Sequence, residues 1–115
     1  MATPSLITVV ETDPYLRMSA DIMTEAERIA VVDMIARDPQ SGDLIRETGG
    51  LRKVRIPLQG RGKRGGGRLI TFFHEDDMPV FLVAVYAKSD QGDLSQVQRK
   101  LAKAITDEIR AQYVR

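Results

Sequence analysis

The sequence predicts an α+β fold: helices packed on one face of a mostly antiparallel, four-stranded sheet, leaving the other face open, in the order β-α-α-β-β-β-α. Three observations lead there. A short β-branched segment and two capped helical segments open the chain. Three strand-like segments then follow one another with only turn residues between them, which pairs them antiparallel. An amphipathic segment closes the chain.

Leu6 to Val10 is apolar and β-branched, the pattern of a buried strand. Asp13 then stands as N-cap with Pro14 at the first helical position, opening a short helix that ends between Met18 and Ile22. Thr24-Glu-Ala-Glu27 is a capping box, and its helix runs to Arg37, where Asp38-Pro39 stops it. Ile29, Val32 and Ala36 form the stripe expected to face the sheet, widened by Val31 and Ile35. Gln40 to Gly50 is a polar connector turning at Gly42 and Gly49-Gly50.

Leu51 to Leu58 is the first of the three strands. Val54, Ile56 and Leu58 share one face and Lys53 and Arg55 the other, with Pro57 near the strand end. A glycine-rich hairpin tip, Gly60 to Gly67, leads into a strand from Arg68 to Glu75. Val80 to Tyr86 is apolar on both faces, as a central strand is. Ser95 caps the last helix with Gln98 at the capping-box position, and Val97, Leu101, Ile105 and Ile109 make its apolar stripe. Residues 1–115 read as a single domain, without internal repeat or linker.

Composition removes several kinds of chemistry. With no cysteine and only one histidine, disulfides, thiolate zinc sites and histidine-rich metal sites are excluded, and no cofactor is expected. The first residues lack the basic and long apolar segments of a signal peptide. The longest apolar run, Val80 to Ala87, is far short of the roughly 20 residues that span a bilayer. The expectation is a cytoplasmic protein without membrane contact.

Charge is not evenly spread. The stretch Leu51 to Arg68 holds seven cations (Arg52, Lys53, Arg55, Arg61, Lys63, Arg64 and Arg68) and no carboxylate, a local +7 against −6 for the rest of the chain. Such a cluster suits a polyanion, phosphate first. Gly60-Arg-Gly62-Lys-Arg-Gly65 matches G-x-G-x-x-G, but a strand follows where a dinucleotide fingerprint needs a helix. The glycines instead permit a flexible hairpin whose backbone approaches phosphate closely. Glu75-Asp76-Asp77 reads as a solvated turn, and Phe72, Phe73 and Phe81 as core. Tyr86 closes the central strand as a core residue with its hydroxyl at the rim, and Lys88 follows it.

Gly42-Asp-Leu-Ile, Thr48-Gly-Gly-Leu-Arg-Lys-Val-Arg55, Gly62-Lys-Arg-Gly-Gly, Arg68-Leu-Ile and Val85-Tyr-Ala-Lys88 together resemble the RelE/ParE toxin superfamily, in its HigB-like branch. The resemblance covers nearly the whole chain. It implies the RelE-like fold and a toxin of a type II toxin–antitoxin pair. Such a toxin is usually an mRNA interferase, an endoribonuclease that inhibits translation by cutting messages on the ribosome. It implies as partners a cognate antitoxin of helix-turn-helix type, the ribosome and mRNA, with operator DNA reached only through the antitoxin. By position it assigns catalysis to Lys53, Arg55 and Arg68, with Lys88 beyond the last strand. Arg52, Arg61, Lys63, Arg64 and His74 are the further RNA-binding candidates. The C-terminal tyrosine used as a base in RelE has no counterpart within Ser89 to Leu94, so Tyr86, His74 and Asp90 stay open for that role.

The chemistry is consistent with these residues. RNA carries its own nucleophile, the 2′-hydroxyl, and arginines bind phosphate through paired hydrogen bonds. A lysine crowded by cations has a lowered pKa that suits proton transfer. Two other readings stay open: a ParE-like inhibitor of DNA gyrase with no nuclease activity, and a simple nucleic-acid-binding module.

Overall fold

The computed structural model describes residues 6–59, 66–74 and 77–113. The elements are β1 (Val9–Glu11), α1 (Asp13–Ser19), α2 (Glu25–Arg37), β2 (Asp43–Leu44), β3 (Leu51–Ile56), β4 (Gly67–Phe72), β5 (Val80–Ala87) and α3 (Gln96–Tyr113). The α+β class and the element order hold, with one strand more than the sequence predicts. Five strands form one sheet in the order β1-β5-β4-β3-β2. It is antiparallel throughout except that β1 runs parallel to β5. The additional strand is β2, inside the stretch expected to be a plain connector; it pairs Asp43 with Lys53 and Leu44 with Arg52. Gly42, at φ +86°, turns the chain onto that edge, where any Cβ would collide with the Lys53 carbonyl.

Helix starts follow from local hydrogen bonds. In the Thr24 box the hydroxyl accepts from Glu27 N–H at 3.1 Å while the Glu27 carboxylate accepts from Thr24 N–H at 2.8 Å. Ser95 and Gln98 make the same reciprocal pair at 3.1 and 2.9 Å. At α1 the N-cap is Thr12, not Asp13. The Thr12 hydroxyl accepts from Tyr15 N–H at 3.4 Å and donates to the Leu82 carbonyl of β5 at 2.7 Å, so one side chain starts the helix and ties it to the sheet. The first strand also begins later than expected, since its pairing starts at Val9 while Leu6 is exposed.

One sheet face carries Val54, Ile56, Leu69 and Leu82 and packs under α1 and α2. The side of α2 that is buried centres on Val31 and Ile35 rather than on the expected Ile29 stripe, and Ile29 is exposed. Ile29 lies two residues from Val31, about 200° round the helix, and so points away from the sheet. The other face is not open along its whole length, because α3 crosses it. The Arg110 guanidinium lies 5.4 Å from the centre of the Phe72 ring and donates to the Thr48 carbonyl, while Tyr113 meets Phe81 edge-on. The expected Val97-Leu101-Ile105-Ile109 stripe is only half used: Ala102, Thr106 and Ile109 are buried, whereas Val97 and Leu101 are exposed. The helix docks through its C-terminal half, where small Ala102 and Thr106 let it approach, the Thr106 hydroxyl being bonded to the Ala102 carbonyl at 2.6 Å.

All eight residues of β5 are buried, as expected of a central strand. Its pairing with β4 slips by one residue: Thr71 faces Leu82 but Ile70 faces Ala84, which leaves Val83 as a bulge. Among the described residues no helix is long and apolar enough to cross a membrane.

Candidate functional site

Alternation along β3 puts Leu51, Lys53 and Arg55 on the face crossed by α3, and Arg52, Val54 and Ile56 on the face under α1 and α2. The ladder then sets Arg55 opposite Arg68 and Arg68 opposite Tyr86, a row of three residues across β3, β4 and β5. Directly opposed antiparallel residues stand about 4.5–5.5 Å apart at Cα. Two arginines abreast repel unless an anion bridges them. Arg55 is exposed and Arg68 half-buried, with an Arg68 N–H donated to the Gly67 carbonyl at 3.1 Å. One step along the strand, Lys53 faces Ile70. The far end of this face, at Leu51, Phe72 and Phe81, is the part that α3 takes, and the row lies beyond it.

Tyr86 is 2 % exposed, so its hydroxyl is inside the rim rather than at it, and that oxygen meets no hydrogen-bond partner among the described residues. The other buried core tyrosine behaves differently. Tyr15 has the Met23 sulfur at 3.8 Å, and burial, with the Glu11 charge second, pushes its hydroxyl up to about 12. Lys88, two residues past Tyr86, closes the row from the strand end. Its N–H is bonded to the Gly66 carbonyl at 2.9 Å and its ammonium to the Gly92 carbonyl at 3.1 Å.

The structure therefore brings Lys53, Arg55, Arg68, Tyr86 and Lys88 to one end of one face. Arg52 is not among them. It lies on the opposite face, where its guanidinium donates to the Gln40 carbonyl at 3.1 Å and ties down the turn before β2. His74 is not among them either: six residues beyond Arg68, it is roughly 20 Å away past the other end of β4. Arg61, Lys63 and Arg64 lie outside the described residues.

Two residues that the sequence did not flag reach the site. The Asp93 carboxylate stands 3.6 Å from the Lys53 ammonium through one oxygen and 2.6 Å from the Arg99 guanidinium through the other. It also accepts from Leu94 N–H at 2.8 Å, and that bond first, with the two cations behind it, holds its carboxyl below the usual range. No local pattern signals a contact between residues 53 and 93. Behind this bridge a cleft of about 710 Å³ lies between α3, at Ala102 and Thr106, and the sheet residues Leu51 and Ile70, with Ile45 and Thr48 of the turn before β3 at its side.

The site is thus a row of cations on a partly uncovered sheet face of a small α+β domain. The chain belongs to the RelE toxin family: the family model described as the RelE toxin of the RelE/RelB toxin–antitoxin system matches residues 19–113. It is thus a toxin of a toxin–antitoxin system. The fold is shared with a free-state double arginine-to-alanine mutant of the Escherichia coli toxin RelE, at a TM-score of 0.58 and 12% identity over 87% of this chain and 97% of that one. It is shared also with a chain of the RelBE2 toxin–antitoxin complex of Mycobacterium tuberculosis, at a TM-score of 0.54 and 21% identity over 78% of this chain and 100% of that one.

Proposed function

We propose that this toxin is a ribosome-dependent mRNA endoribonuclease of the HigB-like branch, acting in the cytoplasm and silenced by a cognate antitoxin. The observation that supports this reading best is the Arg55–Arg68–Tyr86 row, with Lys53 and Lys88 beside it. Arg55 and Arg68 grip the scissile phosphate between them and offset the charge that builds on it as the 2′-hydroxyl attacks. Lys53, one register step away, adds positive charge on the same side. Tyr86 stands opposite Arg68 in the ladder, and its hydroxyl, buried and without a hydrogen-bond partner among the described residues, reaches a sugar oxygen once Arg68 moves onto the phosphate and uncovers it. RNA supplies the nucleophile, so neither metal nor cysteine has a required part in this scheme. The ribosome supplies substrate positioning that an exposed site of this size lacks.

Primer extension on messages from induced cells, and on ribosome-bound against naked mRNA with purified protein, tests the reading. Cleavage of ribosome-bound message, abolished by Arg68→Ala, is the expected result. Intact messages together with arrested DNA synthesis would place the toxin instead with ParE-like gyrase inhibitors.

A further inference from the structure

Resting on the RNA reading above, we propose that Asp93 is an internal stand-in for a substrate phosphate, and that RNA displaces it and thereby recruits Arg99 as a phosphate-binding residue. Asp93 offers its two oxygens to cations on separate elements, Lys53 of β3 at 3.6 Å and Arg99 of α3 at 2.6 Å. An anion with two oxygens bridging two cations is also the way a phosphodiester's non-bridging oxygens engage a basic site. The bridge stands directly behind the Arg55–Arg68 row, because Lys53 is two residues from Arg55 on the same strand face. A phosphate adjoining the one held by that row therefore meets Lys53 and Arg99 next.

The bridge is also open to competition. The side chains of Lys53, Asp93 and Arg99 are 38, 51 and 58% exposed, and ion pairs this accessible are weak. Release of Asp93 requires no unfolding. Its segment is held separately by the Gln91 side-chain amide donating to the Asp93 carbonyl at 2.7 Å and by the Ser95–Gln98 capping box. The carboxylate can swing away while the start of α3 stays in place. Asp93 acts through Lys53 and Arg99 and is a positioning residue; Arg99 touches the substrate.

Asp93→Asn removes the charge but keeps an oxygen for Leu94 N–H, so it spares the fold. Binding is measured by anisotropy of a labelled, 2′-O-methylated single-stranded oligoribonucleotide, which cannot be cut, across a salt series. Each cation that engages single-stranded RNA contributes about 0.7 to the slope of log affinity against log salt. Because RNA reaches Lys53 and Arg99 in wild type too, by displacing Asp93, Asp93→Asn should bind more tightly than wild type with the slope unchanged. Arg99→Ala, in either background, should lower the slope by about 0.7 and cancel most of that gain. Asp33→Asn, which makes the same charge change at an exposed Arg37 pair on α2, is the control and should leave affinity and slope unchanged. Equal behaviour of the two Asp→Asn variants, or a gain untouched by Arg99→Ala, overturns the role of Asp93 and Arg99 while the RNA reading stands. An oligonucleotide bound by no variant and not by wild type overturns the role of Asp93 and Arg99, while the RNA reading is decided separately by cleavage of ribosome-bound message.

Discussion

Tyr86→Phe separates the site from the scaffold, because it should make the protein more stable and less active at once. The hydroxyl is fully buried and meets no hydrogen-bond partner among the described residues, so folding strips it of water without return. Leaving such a group unpaired costs about 1–3 kcal/mol, and the substitution removes the group while keeping the buried ring. A gain of about 1 kcal/mol, or roughly 3–6 °C in Tm for a chain this long, is expected. If the hydroxyl serves proton transfer, cleavage of ribosome-bound message should fall on the order of 100-fold or more. Urea midpoints and single-turnover primer extension measure the two quantities on the same preparation. Tyr15→Phe is the matched control, since it sits in α1 away from the row and should leave cleavage intact. A Tyr86→Phe protein that is less stable by 1 kcal/mol or more would show that the hydroxyl is bonded after all. One that is stable and fully active would make Tyr86 a core residue only.

Lys53→Ala and Arg68→Ala should each abolish growth inhibition with the fold intact by circular dichroism, since both stand on the face away from Val54, Ile56 and Leu58; normal toxicity in a folded double variant would remove the proposed site. Gly42→Ala should destabilise the protein by more than 1 kcal/mol on the order of magnitude of a strained left-handed residue, read as a lowered urea midpoint, because its Cβ meets the Lys53 carbonyl. Glu27 should contribute to acid stability. Its bond to Thr24 N–H, and secondarily that to Gln59 N–H, lowers its folded pKa below the ordinary 4.5. The contribution is therefore complete above that value and lost as pH falls through the lower folded value, and Glu27→Gln should flatten this limb of the urea-midpoint profile.

What the sequence discloses is what four neighbouring residues decide. The two capping boxes close within three residues and hold as expected. The alternation of β3 placed Lys53 and Arg55 together and away from the buried Val54, Ile56 and Leu58. Each correction depends on a distant partner. Thr12 outcompetes Asp13 as the cap because Leu82, seventy residues on, offers a carbonyl. Two residues of the connector become β2 only because the edge of β3 is there to receive them. The face α3 presents is chosen at Phe72 and Thr48, through Arg110, rather than by the apolar stripe of its own sequence. Arg52 sits in a basic run that looks continuous in sequence, yet the strand's period of two sends it to the other face.

The deepest of these non-local effects is the bulge in β5. Phe72 and Phe81 share the face crossed by α3. Counting by twos from Phe81 along an unbroken strand would put Val83, Val85 and Ala87 on that face and send Tyr86 under α1 and α2. The extra residue, Val83, reverses the alternation, so Tyr86 arrives beside Arg68 instead. Nothing in Val80-Phe-Leu-Val-Ala-Val-Tyr-Ala87 betrays this, because a strand buried on both faces carries no polar residue to mark its parity. The same double burial makes the reversal tolerable: either face accepts Val, Ala or Leu, and the cost is confined to one irregular step in the ladder. Beyond the bulge the reversed phase carries through Ala87 to Lys88, which therefore leaves the strand on the side of Arg55 and Arg68. One inserted residue in the most apolar strand thus aligns the hydroxyl and the last cation with a row whose other members come from strands β3 and β4.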